Sequence, residues 1–300
     1  MRIRKVEWCL AFRKRNSKLL FESPKDMSNF TVIKNSLRYW CADPFIIRKD
    51  DYNYVFFEMY DRLKRKGVIG YRKIDSNGKI SPMKKVFEDS CHLSYPFIFE
   101  KEGNYYIIPE SNGKKQLYLL KAVSFPNQWE INRILLNEMR LVDTTFLKYD
   151  GQVYVFTTPI VDDNISLLSV SKVYNGIIDR EKVTIPVLKD KSRARMAGRF
   201  IDAGNLIRVS QNCSQAYGGG IVFSEISLQK DRFSEKIISM IDGNGLWVAG
   251  RRFDGIHTYN CNEEYEVIDL KTENKFNLIE CFGFLRNKVT SLFHKIKKNK

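Results

Sequence analysis

No run of this 300-residue chain is long and apolar enough to cross a bilayer as a helix, which takes roughly 20 such residues. The six cysteines (Cys9, Cys41, Cys91, Cys213, Cys261, Cys281) contain no Cys-x-x-Cys pair, which argues against a zinc knuckle or a disulfide framework and for reduced, mostly buried thiols. Three dispersed histidines do not make a zinc site either, and neither a metal nor an organic cofactor is expected. The sequence has no P-loop, no dinucleotide fingerprint, no serine elbow and no RNA-binding aromatic motif. Gly218-Gly219-Gly220 lacks the lysine and spacing of a phosphate loop. A secretory leader is missing too: the apolar stretch Val6 to Phe12 is short, contains Glu7 and is closed by Arg13-Lys14-Arg15, so the chain is expected in the cytoplasm.

The net charge of +15 suggests nucleic acid until it is located. Residues 1–18 carry +6 and residues 271–300 another +6, so the body between them is nearly balanced. Charge confined to the ends fits an anionic surface met by the edge of the molecule, not a nucleic-acid groove.

What is present is a repeated phrase. Asp43-Pro44-Phe45-Ile46-Ile47 turns through Lys49-Asp50-Asp51 and returns as Tyr54-Val55-Phe56-Phe57-Glu58. Tyr95-Pro96-Phe97-Ile98-Phe99 returns to Glu110, and Asp143-Thr144-Thr145-Phe146-Leu147 returns to Thr158. A tyrosine follows each opening residue by 11 positions and a polar residue by 15. A weaker copy begins at Gly198 and ends on Gln211, and a fifth spans about Leu246 to Leu270. Copies about 50 residues apart, each of alternating apolar strands, predict an all-β, five-bladed β-propeller over residues 1–272. The lone strand Val6–Phe12 is expected to complete the last blade and remove an exposed edge. Residues 273–300 change period: Leu278, Phe282, Leu285, Val289, Leu292 and Ile296 recur at steps of four and three with Arg286, Lys288, Lys295, Lys297 and Lys298 off the stripe. This predicts a basic amphipathic helix over 276–298, suited to an anionic membrane interface, to the propeller itself or to a second helix.

Inner strands of a propeller enter a common channel from one face, so their opening residues converge. Asp43, Tyr95 and Asp143 hold that position, and Glu58, Glu110, Thr158 and Gln211 end the neighbouring antiparallel strands at the same level. Four carboxylates at one mouth suit acid–base chemistry; they equally suit turn capping and structural ion pairs. Arg193, Arg195 and Arg199 are placed to hold a phosphate or to neutralise the acids. His92 and His257 fall at strand openings as proton donors or wall residues. Tyr95, Tyr217 and Trp40 offer faces for a sugar ring.

Ala42-Asp43-Pro44-Phe45 and Val142-Asp143 resemble the five-bladed propellers of glycoside hydrolase family 43. That resemblance implies Asp43 as general base and Asp143 as the residue that positions the acid. The family's acid Glu lies in blade four, where this chain has Gly198-Arg199 and Gln211, so hydrolysis would need Glu110 or Glu58 instead. A likeness over nearly the whole chain rests on His92-Leu93-Ser94-Tyr95-Pro96-Phe97, Ile108-Pro109-Glu110-Ser111, Val142-Asp143-Thr144-Thr145-Phe146, Ala197-Gly198-Arg199, Gln211-Asn212-Cys213-Ser214 and His257-Thr258-Tyr259-Asn260. These motifs resemble the N-terminal domain of plant glucosamine inositolphosphorylceramide transferases, whose stand-alone bacterial relatives accompany surface-polysaccharide synthesis.

Together these readings lead us to expect a glycosyltransferase-like enzyme at the inner membrane face. Asp43, Glu110 and Asp143 would be catalytic, and Glu58, His92, Tyr95, Arg195, Arg199, Gln211 and His257 would bind a nucleotide-sugar or lipid-linked glycan. A glycosidase with a relocated acid and a non-catalytic glycan-binding module are the alternatives.

Overall fold

The repeated hairpins are apolar on both faces, so each must be covered on two sides, and stacking them around an axis is the arrangement that does this. The computed structural model describes residues 6–162, 165–229, 232–273, 278–284 and 286. It is a five-bladed propeller of antiparallel sheets.

β1 (Val6–Lys14) and β2 (Thr31–Val32) come first in the chain but belong to the last blade. Blade one is β3 (Tyr39–Lys49), β4 (Tyr52–Asp61), β5 (Lys66–Ile74) and β6 (Lys84–Phe87). Blade two is β7 (Ser94–Lys101), β8 (Asn104–Glu110), β9 (Leu117–Ser124) and β10 (Gln128–Leu136). Blade three has β11 (Leu141–Tyr149), β12 (Gln152–Pro159) and β13 (Leu167–Tyr174), edged by β14 (Ile177–Ile178) and β15 (Pro186–Lys189) with α1 (Arg180–Thr184) between them. Blade four is β16 (Ile201–Asp202), β17 (Leu206–Gln211), β18 (Gly220–Gln229) and β19 (Arg232–Asp242). A ribbon, β20 (Leu246–Val248) and β21 (Arg251–Phe253), precedes β22 (Tyr259–Cys261) and β23 (Tyr265–Glu273).

Blade five is ordered β22, β23, β1, β2, with β1 antiparallel to β23 from Val6↔Glu273 to Lys14↔Tyr265. Closure is therefore a two-strand contribution from the N-terminal segment, and Leu246–Phe253, expected within the fifth blade, stands apart as the ribbon. Trp8, Leu10, Ala11 and Phe12 of β1 are buried in the process. Aromatic pairs cement neighbouring blades: Phe56 with Trp129 (5.6 Å), Phe156 with Phe200 (4.7 Å) and Phe223 with Tyr259 (5.4 Å). On the axis, Phe97 meets Phe45 at 5.9 Å and Phe146 at 6.2 Å, so three inner strands share an aromatic centre.

Three inner strands break register at their openings, between Ala42 and Phe45, Ser94 and Phe97, and Val142 and Thr145. At each break one residue turns left-handed: Asp43 (φ 51°), Tyr95 (φ 44°) and Asp143 (φ 52°). These are β-bulges, which re-aim a side chain at a rim; aspartate tolerates the conformation, whereas tyrosine is strained by about 1–3 kcal/mol. The break explains why the opening residues alternate so poorly with the strand that follows. In blade four the ladder sets Arg195 opposite Gln211 and Met196 opposite Ser210, so the opening lies at Met196, two residues before the Gly198 start suggested by pattern.

Of the helix expected over 276–298, residues 278–284 and Arg286 are described and helical; the remainder of that expectation lies outside the described residues. A Cβ at Gly283 would stand 2.4 Å from the Arg62 carbonyl, so the glycine lets this helix seat on the turn after β4. Among the described residues no helix is long and apolar enough to cross a membrane.

Closure rests on a buried charge pair. Arg13 on β1 donates from Nε to Glu266 Oε2 on β23 at 2.7 Å, both side chains fully inaccessible. Glu266 also accepts from Leu20 N (2.8 Å) and from the Tyr259 hydroxyl (2.7 Å). Arg13→Met leaves that carboxylate uncompensated and should cost about 3–5 kcal/mol in urea unfolding. A loss below about 1 kcal/mol would mean that β1 is not needed to close the ring.

Candidate functional site

Strand direction brings the polar residues to one mouth. Glu58, Glu110 and Thr158 lie opposite Ala42, Ser94 and Val142, each sixteen residues after its partner. Blade five supplies a fifth member that the repeat spacing misses, Asp269, which follows its ladder neighbour Thr258 by eleven residues. The β22–β23 hairpin is five residues shorter, so a fixed interval of fifteen from the opening overshoots this aspartate. An aspartate between Ile268 and Leu270 in a buried strand was the signal available.

The bulges tie neighbouring blades together through these acids. Asp43 N donates to Asp269 Oδ2 (3.0 Å), Tyr95 N to Asp43 Oδ2 (3.1 Å) and Asp143 N to Glu110 Oε2 (3.4 Å). Each left-handed residue thus has its amide, turned out of the ladder, met by a carboxylate of the preceding blade.

Three carboxylates are locked. Asp43 Oδ1 accepts from the Thr258 hydroxyl (2.9 Å) and lies 3.3 Å from His257 Nε2. His257 Nδ1 lies 2.7 Å from Asp269 Oδ2, an ion-pair contact outside hydrogen-bond alignment, and its ring stacks on Trp8 at 4.0 Å. Gly218 makes room for that tryptophan: a Cβ there would fall 2.4 Å from the indole. Asp143 Oδ2 receives Arg195 Nε (2.5 Å) and Gln211 Nε2 (3.2 Å), and Gln211 is anchored in turn to the Met196 carbonyl at 2.8 Å.

The remaining two acids are less constrained. Glu110 is half-buried, accepts from Asn112 Nδ2 at 2.7 Å and makes no ion pair among the described residues. Glu58 lies 3.1 Å from His92 Nε2, while His92 Nδ1 accepts from Gly67 N at 3.0 Å, a bond that places the ring's proton on Nε2, toward Glu58. His92 is half-exposed, Trp40 stacks on Tyr60 at 4.4 Å beside it, and Tyr217, 44% exposed, covers Arg195 at 5.2 Å across the mouth. Thr158 Oγ1 and Trp40 Nε1 are buried without hydrogen-bond partners, which leaves capacity unused at this level.

Two expected site residues sit elsewhere. The Tyr95 ring is buried and cannot offer a sugar-stacking face; its hydroxyl bridges Thr145 (2.9 Å) and Gly198 N (2.9 Å) across three blades. Arg199 lies below the mouth, over Phe97 at 5.2 Å and bonded to the Ile98 carbonyl, so it faces none of the acids. The stacking faces left at the rim are Trp40 and Tyr217, and the guanidinium left there is Arg195.

The electrostatics follow from burial. Burial pushes the Asp43 carboxyl up to about 7 against the pull of His257, with Glu58, Asp269 and Asp143 adding to the rise. Burial and then Asp143 push Glu110 up to about 7, with Arg195 opposing. Burial pulls His257 down, but Asp269 and Asp43 outweigh it and carry it up to about 9. Asp43, His257 and Asp269 place ligand atoms within 4.8 Å of one another, the spacing of a metal site. As an imidazolium His257 has no lone pair to give, and it already contacts both carboxylates.

Comparison with known proteins matches residues 28–252 to the family model described as glucosamine inositolphosphorylceramide transferase 1, N-terminal. The curated relatives include the transferase of that name from Oryza sativa subsp. indica, 32% identical over 208 residues that make up 66% of this chain and 28% of the relative. The Arabidopsis thaliana protein is 32% identical over 203 residues, 65% of this chain and 26% of its own length. The chain therefore spans little more than a quarter of either relative. Among solved structures, the catalytic domain of a Coprinopsis cinerea GH62 α-L-arabinofuranosidase matches with a TM-score of 0.56 at 10% identity, covering 77% of this chain and 90% of that one. The Podospora anserina α-L-arabinofuranosidase matches at 0.53 and 10% identity, covering 78% and 91%. At such identity the likeness concerns the fold.

The pKa directions give a sign for stability. Asp43 and Glu110 bind protons more tightly in the folded chain, so stability falls as pH rises from about 4 to about 7. The His257 contribution is full below about 6.5 and is lost as pH rises through about 9. Denaturant midpoints of the parent should therefore decline from about pH 4 to about pH 9, and His257→Gln should flatten the alkaline part. A parent curve that is level between about pH 6.5 and 9 would remove the imidazolium from this account.

Proposed function

The chain belongs to the family of the glucosamine inositolphosphorylceramide transferase 1 N-terminal domain, and from that premise we propose that its mouth binds carbohydrate and serves glycosyl transfer in bacterial surface-polysaccharide assembly. The observation that carries this reading is Glu110: a half-buried carboxyl, lifted to about 7, beside Asp143 and Arg195 and in no ion pair among the described residues. A base is most effective when its pKa lies near the working pH, and the proton of an acceptor hydroxyl suits such a group. Asp43 is held by Tyr95 N, Thr258 and His257, so its part is to position and to set the field. Asp143 orients Arg195, whose Nε is engaged while the rest of the fork faces Tyr217 and is available to a donor phosphate. Trp40 and Tyr217 stand on the rim for sugar stacking. The acceptor this calls for is a lipid-linked glycan at the cytoplasmic membrane face.

One observation favours a second reading, a non-catalytic glycan-binding module: Asp43 and Asp143 are both engaged by cations. A hydrolase is less well served, because blade four puts the amide of Gln211 where an acid would be needed, and an amide N–H is far too weak an acid to protonate a leaving group.

Turnover of candidate nucleotide sugars with lipid-linked acceptors should fall about 10²–10⁴-fold in Glu110→Gln. Asp43→Asn, which keeps the acceptor for Tyr95 N, should lose less. Parent-like turnover by Glu110→Gln would end the base assignment, and sugar binding without turnover of any donor would establish the binding module.

A further inference from the structure

Four large apolar side chains stand exposed on described elements at the mouth end of blades five and one: Leu37 (80%), Trp247 (65%), Leu278 and Phe282 (64% each). Their common side follows from strand direction. β23 runs past Asp269 to Glu273 and β19 runs to Asp242 opposite Gly220, so both end at the mouth, where the ribbon β20–β21 also rises. The loop before β3 carries Leu37 and is held there by Arg62, which donates to the Ser36 and Leu37 carbonyls. The helix of Leu278 and Phe282 is seated on the Arg62 and Leu63 carbonyls through Gly283.

The ribbon is built to project. Its turn residues Ala249 (φ 49°) and Gly250 (φ 72°) are both left-handed, the tight hairpin geometry, and its inner residues Val248 and Phe253 are buried while Trp247 and Arg252 pair across it facing outward. Between ribbon and Leu37 runs a groove of 510 Å³ with Arg251 and Arg252 among its lining residues. The only acid among those residues is Glu7, already paired with Arg62 at 2.8 Å.

We propose that this rim is a bilayer-docking surface for anionic phospholipid, with Trp247, Leu37, Leu278 and Phe282 entering the headgroup boundary and Arg251 and Arg252 meeting phosphates, so that the channel mouth is held against the membrane. Tryptophan and arginine are the side chains suited to that depth, and separate apolar tips set among cations fit an interface of mixed polarity better than they fit a continuous protein patch. Charge agrees: β1 and β23 bring Val6 and Glu273 together at this end, and the adjoining sequence carries Arg2, Arg4 and Lys5 on one side and seven Lys or Arg against Glu280 on the other. The proposal deepens the glycosyl-transfer reading, on which it rests for what the mouth would meet in the membrane.

The full chain should sediment with phosphatidylcholine vesicles containing phosphatidylglycerol, and not with phosphatidylcholine alone, and binding should weaken with salt. Arg251→Glu with Arg252→Glu, Leu37→Ser with Trp247→Ser, and Leu278→Ser with Phe282→Ser should each weaken it about tenfold or more while thermal unfolding stays at the parent value. Parent binding that ignores phosphatidylglycerol, or rim variants that sediment like the parent, would overturn the proposal. So would a parent dimer that Trp247→Ser converts to monomer, which would make the rim a protein interface. Glu110→Gln should keep full vesicle binding; its turnover tests the glycosyl reading without touching this one.

Discussion

Everything at the mouth depends on the contact between a carboxylate of one blade and the backbone amide at the bulge of the next. A bulge turns its N–H out of the ladder, and a buried amide without a partner costs roughly the full desolvation of the group. Asp269, Asp43 and Glu110 meet those amides in sequence around the axis. The same acids therefore orient the blades and would furnish the proposed chemistry, and the strain of a left-handed Tyr95 is tolerated because Asp43 holds its amide and Thr145 with Gly198 holds its hydroxyl.

Putting that many carboxylates in one low-dielectric ring requires compensation, and the molecule supplies it unevenly. His257 sits between Asp43 and Asp269, and Arg195 sits on Asp143. Glu110 has an amide donor in Asn112 and no ion pair among the described residues, and burial with the charge of Asp143 outweighs the opposing pull of Arg195. Burial lifts both Asp43 and Glu110 to about 7, and the uneven distribution leaves Glu110 as the one of the two without a cation partner among the described residues.

The mouth and the rim are consequences of one strand polarity. Second strands end upward at the acids, and the loop before β3, the ribbon and the C-terminal helix all attach at that level. Polar chemistry at the centre and apolar tips at the margin then face the same way.

The number of blades, the strand pairs and the convergence of Asp43, Glu58, Glu110 and Asp143 were legible in the amino-acid order, because continuous apolar runs at a fixed interval leave few ways to bury both faces. Asp269 was hidden because blade five shortens its hairpin, and the ribbon was mistaken for strands of that blade because its local pattern is that of any hairpin. Which acid is engaged and which is available could not be read from order at all. Arg195 and Arg199 are four residues apart and look alike in sequence, yet one reaches Asp143 and the other an Ile98 carbonyl beneath it. Local sequence determined the repeat and the pairing of strands within the first three copies; the pairing of charges was decided by where the closing ring set side chains from distant blades within a few ångströms of each other, since ion pairing depends on distance through space and not on separation along the chain.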